Sequence, residues 1–201
     1  DRAHYAGPSC WRDWFSTTPM VWDFYRNAIT QPDQLRQRVA FALQQIVVVS
    51  GLEVSGTYGH RNYQNMLLDN AFGNYRNLLK KVALSPLMGD FLNNANNDKA
   101  APNENFAREL LQLFSIGTCE LNGDGTLRGG NCMPTYSNEM VRNYAYALTG
   151  WTYAPYPGGA AKHEEDQRYY GSPMVAVASQ HDTAANRLLR GISLPAGQTA
   201  D

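Results

Sequence analysis

At 201 residues and 43% apolar, the chain is long enough to close a core and too apolar to be disordered. A formal net charge of −1 with no basic run excludes the electrostatic footprint of a nucleic-acid binder. No apolar stretch approaches the ~20 residues of a membrane-spanning helix, the longest lying around Ile46-Val47-Val48-Val49.

The N-terminus, Asp1-Arg2-Ala3-His4, has neither an initiator Met nor the basic-then-apolar pattern of a signal peptide, and reads as a processed or trimmed end. Thr18 followed by Pro19 predicts a capped helix from Met20 to Ile29. Gln31-Pro32-Asp33 repeats the device for a longer helix, with Leu35, Val39, Ala42, Leu43 and Ile46 at three- and four-residue spacing and Gly51 as its stop. Within it Val47-Val48-Val49 is taken as a buried helix end. Further helices are predicted from Tyr58 to Phe72, from Tyr75 to Leu84, and from Pro86 to about Asn93.

A polar loop, Asn93-Asn94-Ala95-Asn96-Asn97-Asp98-Lys99, precedes a helix that opens at Pro102 and runs to Ile116, stopped by Gly117. Cys119 and Cys132 then bracket a Gly-rich stretch that reads as a hairpin. A bridge between them would contribute roughly 3 kcal/mol and require an oxidising compartment; two free buried thiols are the alternative. Cys10 is left over. Ser137 caps a predicted helix from Asn138 to Leu148, ended by Gly150. Beyond Trp151 the Pro- and Gly-rich sequence predicts irregular structure, with a short strand at Met174 to Ala178 and no closing element after His181. The expected fold is mainly α: residues 1–201 as one domain, a multi-helix orthogonal bundle with a Gly/Cys hairpin loop and an irregular C-terminal segment. Charged residues are only 17% while Asn, Gln, Tyr and Trp abound, a balance common on secreted or periplasmic proteins.

The Pro102 helix carries the candidate chemistry. Phe106, Ala107, Leu110, Leu111 and Phe114 form an apolar arc, flanked by Leu113 and Ile116, with Glu104, Arg108, Gln112 and Ser115 opposite. Glu104 precedes Arg108 by four residues, the better orientation for an ion pair. Asn103 is placed to cap the helix or hold the loop before it. Glu109 falls on the apolar flank between Leu113 and Ile116. It is expected to be partly buried, either as a structural carboxylate tied to a neighbour or as a functional one.

The run Ala101-Pro102-Asn103-Glu104-Asn105-Phe106-Ala107-Arg108-Glu109-Leu110-Leu111-Gln112-Leu113-Phe114-Ser115-Ile116-Gly117 resembles the signature of the bacterial family catalogued as domain of unknown function 1800. Leu35-Arg36-Gln37-Arg38-Val39, Ala147-Leu148-Thr149-Gly150-Trp151-Thr152, and His181-Asp182 followed by Leu188-Leu189-Arg190-Gly191 agree in the right order. The resemblance implies an exported protein without an established activity, often encoded beside a sulfatase- and alkaline-phosphatase-like family, and therefore a possible partner of it. It also implies a domain continuing beyond Asp201. Many members carry Trp-His-Asn-His-Phe where this chain has Leu43-Gln44-Gln45-Ile46-Val47; if those histidines bind a metal, this chain has lost the ligands, since Gln is a weak ligand and Ile is none. The Arg usually preceding Ala-Leu-Thr-Gly-Trp is Tyr146, leaving Arg142 or a Tyr hydroxyl as the expected partner of Glu109.

The remaining candidates are sparse. His181-Asp182 reads as a base or ligand pair, or more simply as a capped turn; His60 has no partner within sequence reach. Glu120, Asn122, Asp124, Gly125 and Thr126 faintly echo a calcium loop, but Asn131 stands where such loops need a bidentate Glu, so a plain turn is preferred and no cofactor is expected. Two readings remain. One is a cell-surface or periplasmic binding or assembly domain, with carbohydrate or protein as ligand and with Asn103, Asn105, Arg108, Arg142, Trp151 and Asp182 as structural motif residues. The other is a glycoside or ester hydrolase using Glu109 or Glu104 with His181. Glu104 and Glu109 lie about 140° apart around one helix, which counts against both facing one substrate.

Overall fold

A computed structural model of the chain describes residues 18–157 and 168–200; Cys10 lies outside the described residues. Seven α-helices are present among them: α1 (Thr18–Thr30), α2 (Gln34–Ile46), α3 (Thr57–Asp69), α4 (Tyr75–Ala83), α5 (Pro86–Phe91), α6 (Asn105–Gln112) and α7 (Asn138–Ala147). Two antiparallel pairs complete the fold. β1 (Trp151–Thr152) pairs with β2 (Val175–Ala176), and β3 (Asn186–Arg187) with β4 (Ser193–Leu194). The domain is mainly helical, as the apolar spacing predicts.

Local chemistry sets several boundaries. Asn74 begins α4 by accepting from the amides of Arg76 and Asn77, and Ser137 begins α7 by accepting from Met140. Pro86 occupies the first turn of α5, where its missing N–H costs nothing. The α2 helix stops at Ile46. Val47 is fully buried in the core while Val48 is exposed, so the valine run leaves the helix. Arg36 fastens α2 to α3 by donating to the Leu68 carbonyl at 2.9 Å, with its guanidinium 5.0 Å from the centre of the Phe72 ring.

The larger core cluster joins Ala40 and Val47, Tyr63 and Leu67, Leu78 and Val82, Leu87 and Met88, and Phe106 and Phe114. A smaller one joins Ala107 and Leu111 of α6 to Val141 and Ala145 of α7. Helix α6 is therefore the element shared by both clusters, with Phe106 serving the first and Ala107 the second. That position follows from a helical arc wide enough to be apolar on two adjoining sides.

The C-terminal end of α6 departs from expectation. The regular helix ends at Gln112, and the amides of Ile116 and Gly117 both turn back to the Leu111 carbonyl, with Gly117 at φ 74°. The widened turn carries Leu113 and Ile116 to the surface, at 55% and 41% exposure, off the buried flank predicted for them. Tyr75 satisfies the Phe114 carbonyl from α4 at 2.7 Å. The following segment is closed by the Cys119–Cys132 disulfide and by single antiparallel bridges, Cys119 with Pro134 and Leu121 with Leu127.

Candidate functional site

Three of the matched segments meet around the polar loop that precedes α6. The amide of Asn96 donates to the Trp151 carbonyl at 2.8 Å, and the amide of Gly150 donates to the Asn97 carbonyl at 2.8 Å. Thr152 adds a hydroxyl bond to Asn96 Oδ1. Within the loop, the amide of Asn103 donates to Asn97 Oδ1 at 2.7 Å, Asn103 Oδ1 accepts from the Asn105 amide at 2.9 Å, and Asn105 Nδ2 donates to Asn93 Oδ1 at 2.9 Å. Asp98 Oδ1 accepts from the amides of Ala100 and Ala101. Lys99 extends the frame to the Gln180 carbonyl at 3.0 Å.

His181 and Asp182 close the third side. His181 is 4% exposed and its Nδ1 lies 2.8 Å from the Thr149 carbonyl, which can only accept; the ring therefore carries its proton on Nδ1. Asp182 receives Nδ2 of Asn186 at 2.9 Å, while its own amide donates to the Thr149 hydroxyl at 2.8 Å. The pair thus fastens the Thr149-Gly150 turn, His181 buried and Asp182 partly so. Gly150 sits at φ 89°, a conformation that favours glycine.

A cavity of about 270 Å³ opens beside this frame, lined by Gly89, Asp90, Asn93, Ala95, Asn96, Asn97, Asp98, Ala101, Asn103, Tyr153 and Arg168. Asp90 Oδ2 accepts from the Tyr170 hydroxyl and stands 3.5 Å from the Arg168 guanidinium. Burial and that neighbouring carboxylate push the Tyr170 hydroxyl pKa well above its ordinary value. Asn93 and Asn96 take left-handed backbone angles, φ 57° and 61°, which Asn tolerates better than most side chains. Asn94 between them is 2% exposed, with neither amide atom hydrogen-bonded among the described residues.

The predicted catalytic carboxylates lie elsewhere. Glu104 pairs with Arg108 at 2.8 Å and with Arg142 of α7 at 3.7 Å, so Arg142 serves Glu104 in place of Glu109. Arg108 also reaches Asn138 Oδ1 at 3.3 Å. Glu109 has a buried Oε2 without a hydrogen-bond partner among the described residues. Neither glutamate lines the cavity, and nor does His181. Asp124 commits Oδ1 to the amide and hydroxyl of Thr126, bonds that hold its carboxyl below the usual range. His60 meets the Val54 carbonyl at 2.8 Å through Nε2. No group of three or more metal-binding side chains occurs among the described residues.

Sequence reasoning passed over Asp90, Asn93, Asn96, Asn97, Asp98, Tyr153 and Arg168 as site residues. The available signal was the density of Asn immediately before the signature helix. Fold and frame together define a mainly helical domain whose signature segments build a hydrogen-bonded polar cleft. The chain belongs to the family described as "Protein of unknown function (DUF1800)", whose model matches residues 15–201. No curated protein and no solved structure matches it.

Proposed function

We propose that this chain is a ligand-binding domain of an oxidising compartment, secreted or periplasmic, and that its signature segments hold a cleft in shape instead of performing catalysis. The observation that carries the reading is the cleft itself: an open cavity lined largely by carboxamides and carboxylates, framed by bonds from two separate signature segments and from Gln180 beside a third. Glu104, Glu109 and His181, the residues expected to serve a hydrolase, do not line it. Glu104 is held between two arginines, and His181 is buried against a backbone carbonyl. The Cys119–Cys132 bridge supports the compartment. Helix α1, which buries none of its residues and exposes Trp22, Tyr25 and Ile29, supports a second contact, with a protein partner.

A hydrolase is the second reading, favoured by one observation. A carboxylate oxygen buried without a partner, as Glu109 Oε2 is, is a costly feature that catalytic sites retain. Incubation with a panel of polysaccharides and esters separates the two. The binding reading expects no turnover. Turnover by the wild type that Glu109→Gln abolishes at unchanged stability overturns it.

A further inference from the structure

Resting on the binding reading, the hydrogen-bond ledger of the cleft identifies a ligand class. The Oδ1 atoms of Asn93, Asn96 and Asn103 are occupied by Asn105, Thr152 and the Asn105 amide respectively. Their Nδ2 groups have no protein partner among the described residues. Asn97 uses both ends of its amide on Asn103. Asp98 and Asp90 each commit one carboxylate oxygen, Oδ1 to the loop amides and Oδ2 to Tyr170 and Arg168. Their second oxygens have no protein partner among the described residues. The residues lining the cleft therefore carry three amide donors and two carboxylate oxygens without a protein partner among the described residues, beside the Arg168 guanidinium that Asp90 holds.

That mixture discriminates between ligand chemistries. An inorganic anion would meet an Arg168 guanidinium already held by Asp90 and would face Asp98 as well, and a metal cation would face three N–H₂ groups that cannot ligate. A hydroxyl both donates and accepts, so a row of hydroxyls satisfies both sets at once. The volume of about 270 Å³ is near the lower end of small-molecule sites. The loop is also set in advance: the Asn94 and Ala95 amides both donate to the Gly89 carbonyl, at 2.8 and 2.9 Å, and Asn96 and Asn97 are pinned to Trp151 and Gly150. Pre-setting of this kind lowers the ordering cost of binding. We infer that the Asn93–Asn103 cleft binds a neutral polyhydroxylated ligand, a short saccharide, through the carboxamides of Asn93, Asn96 and Asn103 and the carboxylates of Asp90 and Asp98.

Asn→Asp substitutions test this, because they keep the Oδ1 acceptor that the frame uses and replace the unpartnered donor with a negatively charged acceptor. Cellotetraose, maltotetraose and chitotetraose are titrated calorimetrically against wild type, Asn93→Asp and Asn96→Asp, with inorganic phosphate and calcium as parallel arms. One of the sugars is expected to bind the wild type, with affinity lowered about tenfold or more in each variant at an unchanged melting temperature. Should a variant melt early, Asn103→Asp takes its place. No binding of any sugar at millimolar concentration overturns the inference, as does sugar binding indifferent to the substitutions, or phosphate or calcium binding in place of sugar. Cleavage of a bound sugar would sustain the ligand class while overturning the non-catalytic reading.

Discussion

Gly150 and His181 approach so closely that a Cβ on Gly150 would lie 2.8 Å from the Cβ of His181 and 3.0 Å from its backbone nitrogen. The Thr149-Gly150 turn accordingly has no room for a side chain, and its φ of 89° disfavours one as well. Gly150→Ala is expected to destabilise the domain by about 2 kcal/mol or more, since backbone strain and a clash with main-chain atoms act together. Urea denaturation reads this, and a change below about 0.5 kcal/mol contradicts the packing described.

Glu109 invites the opposite substitution. With no hydrogen-bond partner for its buried Oε2, the carboxylate gains little from the fold. Glu109→Gln should leave stability unchanged or raise it by up to about 1 kcal/mol. A loss of about 3 kcal/mol in the same melt would instead point to a buried ion pair that the substitution breaks.

Glu104 joins α6 to α7 through Arg108 and Arg142, but all three side chains are about a third or more exposed. Exposed pairs of this kind contribute little, so Glu104→Ala is expected to cost under about 1 kcal/mol, less still in high salt. Melts at low and high ionic strength check both statements.

The Cys119–Cys132 bridge closes a segment with a sequence separation of 13. Replacing both cysteines with serine should cost roughly 3 kcal/mol if restriction of the unfolded chain dominates. Mass spectrometry after alkylation without reductant should find both sulfurs blocked from reaction in protein taken from its native source; labelling of both would remove the support for an oxidising compartment.

Tyr63 gives the alkaline limit. Its hydroxyl donates to the Val47 carbonyl at 2.7 Å inside the core, and burial raises its pKa well above the ordinary 10.0. The folded state thus holds this proton more tightly than the unfolded one. Its contribution is fully present below pH 10 and is lost as pH climbs from there toward the folded value; Tyr170 acts with the same sign. Stability measured in urea should therefore decline above about pH 10. Tyr63→Phe should lower the neutral-pH stability by about 1 kcal/mol and make the alkaline decline shallower.

The helices were legible because their signals are local: Pro86 in a first turn, Ser137 as a cap, and apolar residues at three- and four-residue spacing. Leu113 and Ile116 were misplaced because a periodic pattern does not reveal where a helix gives way to a wider turn. Val47 to Val49 misled for a similar reason. The cleft was illegible for another cause. Its defining bonds join residues far apart in the chain, Asn96 with Thr152 and Asn97 with Gly150, and no spacing rule links them. Arg142, expected as a partner of Glu109, meets Glu104 instead, because spacing alone does not choose between two glutamates separated by about 1.4 turns.

The same long reach of the Asn93–Asp98 loop constrains how the molecule assembles. Asn96 is tied to Trp151 and Thr152, and Lys99 to Gln180, so the loop's final shape depends on chain lying 55 to 81 residues downstream. Contacts so distant in sequence form only after the intervening segment has been gathered in, at a loop-closure cost that nearer contacts do not bear. The helices of the first core can associate before that downstream chain is gathered in. The cleft cannot, which makes it a late structure.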